Sequence, residues 1–193
     1  MRQTMRAVAG SMIEVDERVR KTATVLAATL LIAVCAHVAF PLWFTPVPLT
    51  LQPFAVLLLG LLMTPGMAAT TMALYLAEGA LGMPVFTPHG LGGVAQMLGP
   101  TGGYLMSYPV VAPLVSWLWR QGSRGFVRTL VITTAGSLVT LTMGAMWLGL
   151  LTHTGFRLLM GSAVAPFLPG DAIKVVAAAA MATSWMRIRA NQK

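Results

Sequence analysis

The stretch Phe54-Ala-Val-Leu-Leu-Leu-Gly-Leu-Leu-Met63 decides how this chain is built. It carries no charged or polar side chain, yet it is half the length of the ~20 residues that a helix needs to cross a ~30 Å hydrocarbon core. Before it lies Pro-Leu-Trp-Phe-Thr-Pro-Val-Pro-Leu-Thr-Leu-Gln-Pro, residues 41–53, whose prolines forbid regular helix. After it, Thr64-Pro65-Gly66 makes a tight turn. If this segment crosses or nearly crosses a bilayer, the chain has six transmembrane helices; otherwise it has five.

The other spans are plainer. Thr22–Phe40 is the first, Met67–Gly82 the third and Gly102–Trp119 the fourth, with Pro109 and Pro113 as tolerated kinks. Val127–Leu151 and Pro169–Met186 follow, Pro169 suiting a first helical position. Met83–Thr101 is a Gly- and Pro-rich loop. A small residue, Ala36, stands where a signal segment could be cleaved, but the long charged lead-in favours a retained helix.

Lysine and arginine choose between five and six. Arg2, Arg6, Arg18, Arg20 and Lys21 precede the first span, Arg120, Arg124 and Arg128 fill one connector, and Arg187, Arg189 and Lys193 end the chain. Cytoplasmic loops collect such residues, and only six crossings put all these groups on one side. The chain is then an all-α integral protein of a bacterial cytoplasmic (inner) membrane with both termini cytoplasmic. Residues 1–21 form a cytoplasmic segment, 22–188 the transmembrane domain and 189–193 a cytoplasmic tail.

Composition agrees. Of the 193 residues 56% are apolar and 9% charged, against about 25% charged in a soluble domain. The net charge of +8 does not imply nucleic acid, because the basic residues edge apolar runs and form no aromatic-interleaved patch. Cys35 is the single cysteine, and His37, His89 and His153 lack ligand spacing, so no metal site is expected. No cofactor is expected either. GxxxxGK[ST], HExxH and GxSxG are all missing, and Gly136-Ser137 and Gly161-Ser162 have no convincing base nearby, so the chain does not read as an enzyme. Gly90–Ala95 matches GxGxxA between two spans, without the strand that motif requires. Gly99–Gly103 fits GxxxG but straddles a loop and reads as a turn.

Six crossings bring Glu78, Asp171 and Lys174 to the outer ends of their helices. Charges at membrane depth cost at least ~2.5 kcal/mol each, so they face a cavity or one another. An outward-facing ligand cup roofed by the first and third loops follows. Asp171 and Lys174 share a helical face and are either a ligand-contact pair or a dipole-capping aspartate with its own partner. Tyr75 and Glu78 also share a face, and Glu78 is either a ligand contact or an edge residue reaching interfacial water. Ala23 and Ala27 form a small-xxx-small pair that admits a partner helix, or are ordinary membrane alanines.

Four stretches in order, PVPLTLQPFAVLLLG (46–60), YLAEGALGMPVF (75–86), GPTGGYL (99–105) and LPGDAIK (168–174), make the chain resemble the BioY family, the biotin-specific S components of energy-coupling-factor (ECF) transporters. Pro53 departs from the family's frequent Gln-Thr at 52–53. The resemblance implies a substrate-capture subunit for biotin without its own ATPase, working with a transmembrane coupling protein and cytoplasmic ATPases. Asp171 and Lys174 would bind the ureido group or carboxylate, and Tyr75, Phe86 and Tyr104 would wall the bicycle. Thr50 and Gln52 would make lid contacts; Gln96 and Glu78 complete the candidate set. The rival readings are an S component for another vitamin and a membrane scaffold without a small ligand.

Overall fold

Proline and threonine set where the helices begin. The computed structural model describes residues 2–88 and 90–192, and the side chains of residues 16–88 and 90–192; the reading of His89 lies outside it, as do Met1 and Lys193. Helix α1 spans Arg2–His37, α2 Gln52–Leu62, α3 Pro65–Ala80, α4 Gly93–Leu98 and α5 Gly102–Arg120. Helix α6 spans Phe126–Thr152, α7 Phe156–Leu159, and α8 Leu168–Asn191, with a π-helical turn over Met160–Val164 between the last two. Pro53, Pro65 and Pro169 all sit in first turns, where their missing N–H costs no helical bond. The Thr64 side chain caps α3 by accepting from Met67 N.

The first span differs from the sequence reading at both ends. The amino-terminal segment is helical and continuous with the first span. That span ends at His37, and Ala39–Phe40 pairs antiparallel with Leu49–Thr50 as strands β1 and β2. Leu51 N also donates to Val38 O, so the proline-rich loop closes on its own backbone bonds.

Six helices, α1, α2, α3, α5, α6 and α8, alternate between two ends. At one end Arg120 Nη2 and Ser116 Oγ both donate to Met63 O, at 3.1 and 2.6 Å, which satisfies a terminal carbonyl of α2. Lys21 and Gly66 share a cleft there, and Leu62, Arg124 and Arg189 share another. At the opposite end lie the β1–β2 pair, α4 and the start of α8. The described basic residues of the amino-terminal segment, connector and tail thus gather at a single end, as six alternating helices require.

Length alone would not have produced this count. Among the described residues, only Asp16–His37 and α6 are each long and apolar enough to cross alone, and α8 joins α7 and the π turn in a pair bent by 46°. Helix α2, at 11 residues, measures about 16 Å. It is apolar all round because it is the central rod: Ala55 through Leu59 and Leu61 are buried against α1, α5 and α8. The outer surface is the reverse of a soluble protein's, with Leu30, Val131, Leu138, Ile173 and Met181 exposed.

Helices α5 and α6 approach closely at glycine. A Cβ on Gly103 would collide with Trp147 and the Met143 carbonyl, and one on Gly144 would collide with the Tyr104 ring. The expectation that Gly99–Gly103 is only a turn therefore needs correction: Gly99 ends α4, but Gly103 is a packing glycine.

Candidate functional site

Asp171 and Lys174 come together in the first turns of α8. Lys174 Nζ lies 2.9 Å from Asp171 Oδ1, and Ser137 Oγ on α6 donates to Asp171 Oδ2 at 2.9 Å. The two residues are 6% and 7% exposed. Both carboxylate oxygens are engaged, as a buried charge requires, whereas Asp171 is the one protein acceptor of the ammonium among the described residues.

The pair forms one wall of a cavity at the end opposite the basic residues. Thr50, Gln52 and Pro53 line it from β2 and α2, Gln96 from α4, Tyr104 and Tyr108 from α5, and Thr140 from α6. Val47 and Pro48 of the first loop also line it. Its volume is about 40 Å³, room for a few waters at ~10–15 Å³ each. Gln96 Oε1 accepts from Gly92 N, and a side chain at Gly90 would strike the Gln96 amide, so this glycine holds the loop against its own glutamine. Tyr104 Oη donates to Ala163 O at 2.7 Å, tying α5 to the turn that leads into α8.

Three expected contacts stand behind the cavity or beside it. Tyr75 is fully buried but does not line it; Gln52 Nε2 donates to Tyr75 Oη at 2.6 Å, and Tyr75 Oη donates to Val85 O at 2.8 Å. Thr50 Oγ1 donates to the other end of the same amide, at 3.2 Å. Tyr75 therefore orients Gln52. Phe86 packs edge-on against Tyr75, with ring centroids 5.5 Å apart, and is likewise not a wall. Glu78 sits between α3 and α1, where Thr29 Oγ1 donates to it at 3.2 Å, and the three charges do not converge. Tyr75 and Glu78 on α3, and Phe86 in the loop after it, each meet a neighbour that the local sequence does not reveal. Ala23 and Ala27 lie exposed on α1.

Other residues in or behind the cavity wall escaped the sequence reading. Thr87 lines the cavity with a buried hydroxyl that has no hydrogen-bond partner among the described residues, a group that normally finds one. Ser137, which the sequence offers only as a nucleophile without a base, instead holds Asp171 from behind. The available signal was a stripe on α6: Thr129, Thr133, Ser137 and Thr140 recur at helical spacing in an apolar span, and all are buried. Their partners include Trp119, Asp171 and Ser107.

This arrangement can hold a small polar head between an amide, hydroxyls and an ion pair, with aromatic rings around its apolar part. Comparison with known proteins reaches nearly the whole chain: the model of the BioY family matches residues 3–191. The chain belongs to the BioY family. One BioY relative, described as a probable biotin transporter BioY from Pyrococcus horikoshii, is 40% identical over 137 residues, covering 71% of this chain and 79% of that one. Biotin transporter BioY of Thermotoga maritima is 34% identical over 154 residues, covering 80% and 88%. The crystal structure of an S-component for biotin from an ECF-type ABC transporter superposes with a TM-score of 0.82 at 25% identity, covering 89% of this chain and 93% of that one. The fold here is helical apart from the short β1–β2 pair, with a small cavity at one end.

Proposed function

We propose that this chain captures biotin from outside the cell as the substrate-binding S component of an ECF transporter. The observation that carries the reading is the buried Asp171–Lys174 pair lining a small cavity opposite the basic end. Biotin offers two ureido N–H donors, a carbonyl acceptor, an apolar bicycle and a carboxylate. Asp171 accepts from the ureido group, and Lys174 donates to an oxygen of the ligand. Each charge-assisted bond contributes ~1.5–3 kcal/mol. Gln52, Gln96 and the Thr87 hydroxyl supply further polar contacts, and Tyr104 flanks the bicycle. A cavity of about 40 Å³ is too small for the bicycle, so entry requires the Val47–Pro48 segment to lift.

The basic end faces the cytoplasm, as the positive-inside rule dictates, with residues 1–21 and 189–193 on that side and residues 22–188 as the membrane domain. A coupling protein and ATPases engage the chain from there, with Ala23 and Ala27 as the close-approach surface for a partner helix. A Cys35→Ala variant carrying a cysteine at position 124 should label only after the membrane is permeabilised; labelling on intact cells would reverse this orientation.

Calorimetry on the purified chain tests the ligand. Biotin should bind with one site and without ATP, while riboflavin and thiamine should not compete. Tight binding of another vitamin with none of biotin would identify a different cargo, and no binding at all would leave a scaffold role.

A further inference from the structure

The basic end holds a second cleft, between the α5–α6 connector and the end of α8, of about 450 Å³. Arg124 lies over the Trp119 ring, with Cζ 5.0 Å from its centroid, and Arg189 lies over the Trp185 ring at 5.1 Å. Each ring covers one face of a guanidinium and leaves its N–H edge to hydrogen-bond. Arg120 lines the same cleft, with Nη2 held by Met63 O and Nε by Ser116 Oγ. No carboxylate lies within 4.0 Å of these three arginines among the described residues, where the only ion pairs are Lys21–Glu17 and Lys174–Asp171. The floor is apolar, with Leu62, Met186 and the exposed Trp185.

Charge bias alone requires arginines on this side, but not guanidiniums braced on tryptophan around an apolar floor. We infer that this cleft binds the phosphate headgroup of an anionic glycerophospholipid of the leaflet at the basic end. The forks take the phosphate, and the floor takes the glycerol and upper acyl chain. Basic pockets between membrane helices favour such headgroups, and an Arg–phosphate contact is often bidentate. The floor argues for a lipid over free phosphate, which has nothing to place there.

Native mass spectrometry of the full chain in mild detergent tests this, with phosphatidylglycerol and phosphatidylcholine of matched acyl chains. Phosphatidylglycerol should be retained at least about tenfold better, and Arg124→Gln/Arg189→Gln should remove that preference while biotin affinity stays within about twofold. Should the glutamine pair lose biotin binding through misfolding, Arg124→Lys/Arg189→Lys keeps both charges and removes the stacked forks; it should lower phosphatidylglycerol retention severalfold. Equal retention of the two lipids, or unchanged retention in the folded variant pair, would overturn the inference. Displacement of the lipid by millimolar inorganic phosphate would make this a free-anion site instead. Loss of coupling-protein capture with lipid retention intact would assign the cleft to a protein partner.

Discussion

The two ends of the bundle use the same kinds of side chain for opposite purposes. At the cavity end, one acid and one lysine are buried, paired with each other and braced by Ser137. At the basic end, Arg120, Arg124 and Arg189 are exposed, cap a carbonyl or lie on tryptophan rings, and have no carboxylate within 4.0 Å among the described residues. Desolvation makes the difference. A buried charge needs its partners at fixed distances and collapses if one is removed, whereas an exposed cation is solvated whatever its neighbours do. Geometric precision belongs to the first end and orientation to the second.

The sharpest way to break that contrast is to treat the buried pair as if it were a surface pair. Asp171→Asn and Lys174→Ala should each weaken biotin binding at least about tenfold, or ~1.4 kcal/mol, by calorimetry on protein that remains monodisperse. Affinity unchanged in both would reduce the pair to a cap for α8. Packing gives a comparison of similar kind: Gly103→Ala forces Trp147 aside and should cost ~1–3 kcal/mol, a drop of several degrees in melting temperature. Gly66→Ala at the basic end meets nothing within 4 Å and should leave melting unchanged or slightly raised. Next in size, Gln52→Ala removes an amide held from both ends and should weaken biotin by about fivefold, near 1 kcal/mol. Smallest, Glu78→Gln should change affinity less than about twofold, since its recorded partner is Thr29 on another face of the bundle; a tenfold loss there would return Glu78 to the site.

What the sequence disclosed follows the same division. Helix positions were legible because proline, glycine and apolar runs act locally, and the six-helix count was legible because arginines cluster in connectors. Asp171 and Lys174 were legible because charge in an apolar span is rare. Tyr75 and Glu78 were placed on the right helix, and Phe86 in the loop after it, but not in the right company. Whether a side chain faces the cavity depends on Val85, Gln52 and Thr29, which lie elsewhere in the chain. Ser137 and Thr87 were missed because a hydroxyl in an apolar span reads as helix packing until its partner, or the want of one, is seen. The extension of α1 through the charged lead-in was hidden by polarity, which argues against a span but not against helix.

Helix α2 has a consequence for distance. Its first residue, Gln52, lines the cavity, and its last, Leu62, lines the basic cleft. Ten helical steps of 1.5 Å separate them, about 15 Å, roughly half of a ~30 Å hydrocarbon core. A cargo molecule seated beside Gln52 has therefore already completed much of its journey. What remains is a passage no longer than three turns of one buried rod, and any machine that drives release has only that short stroke to open.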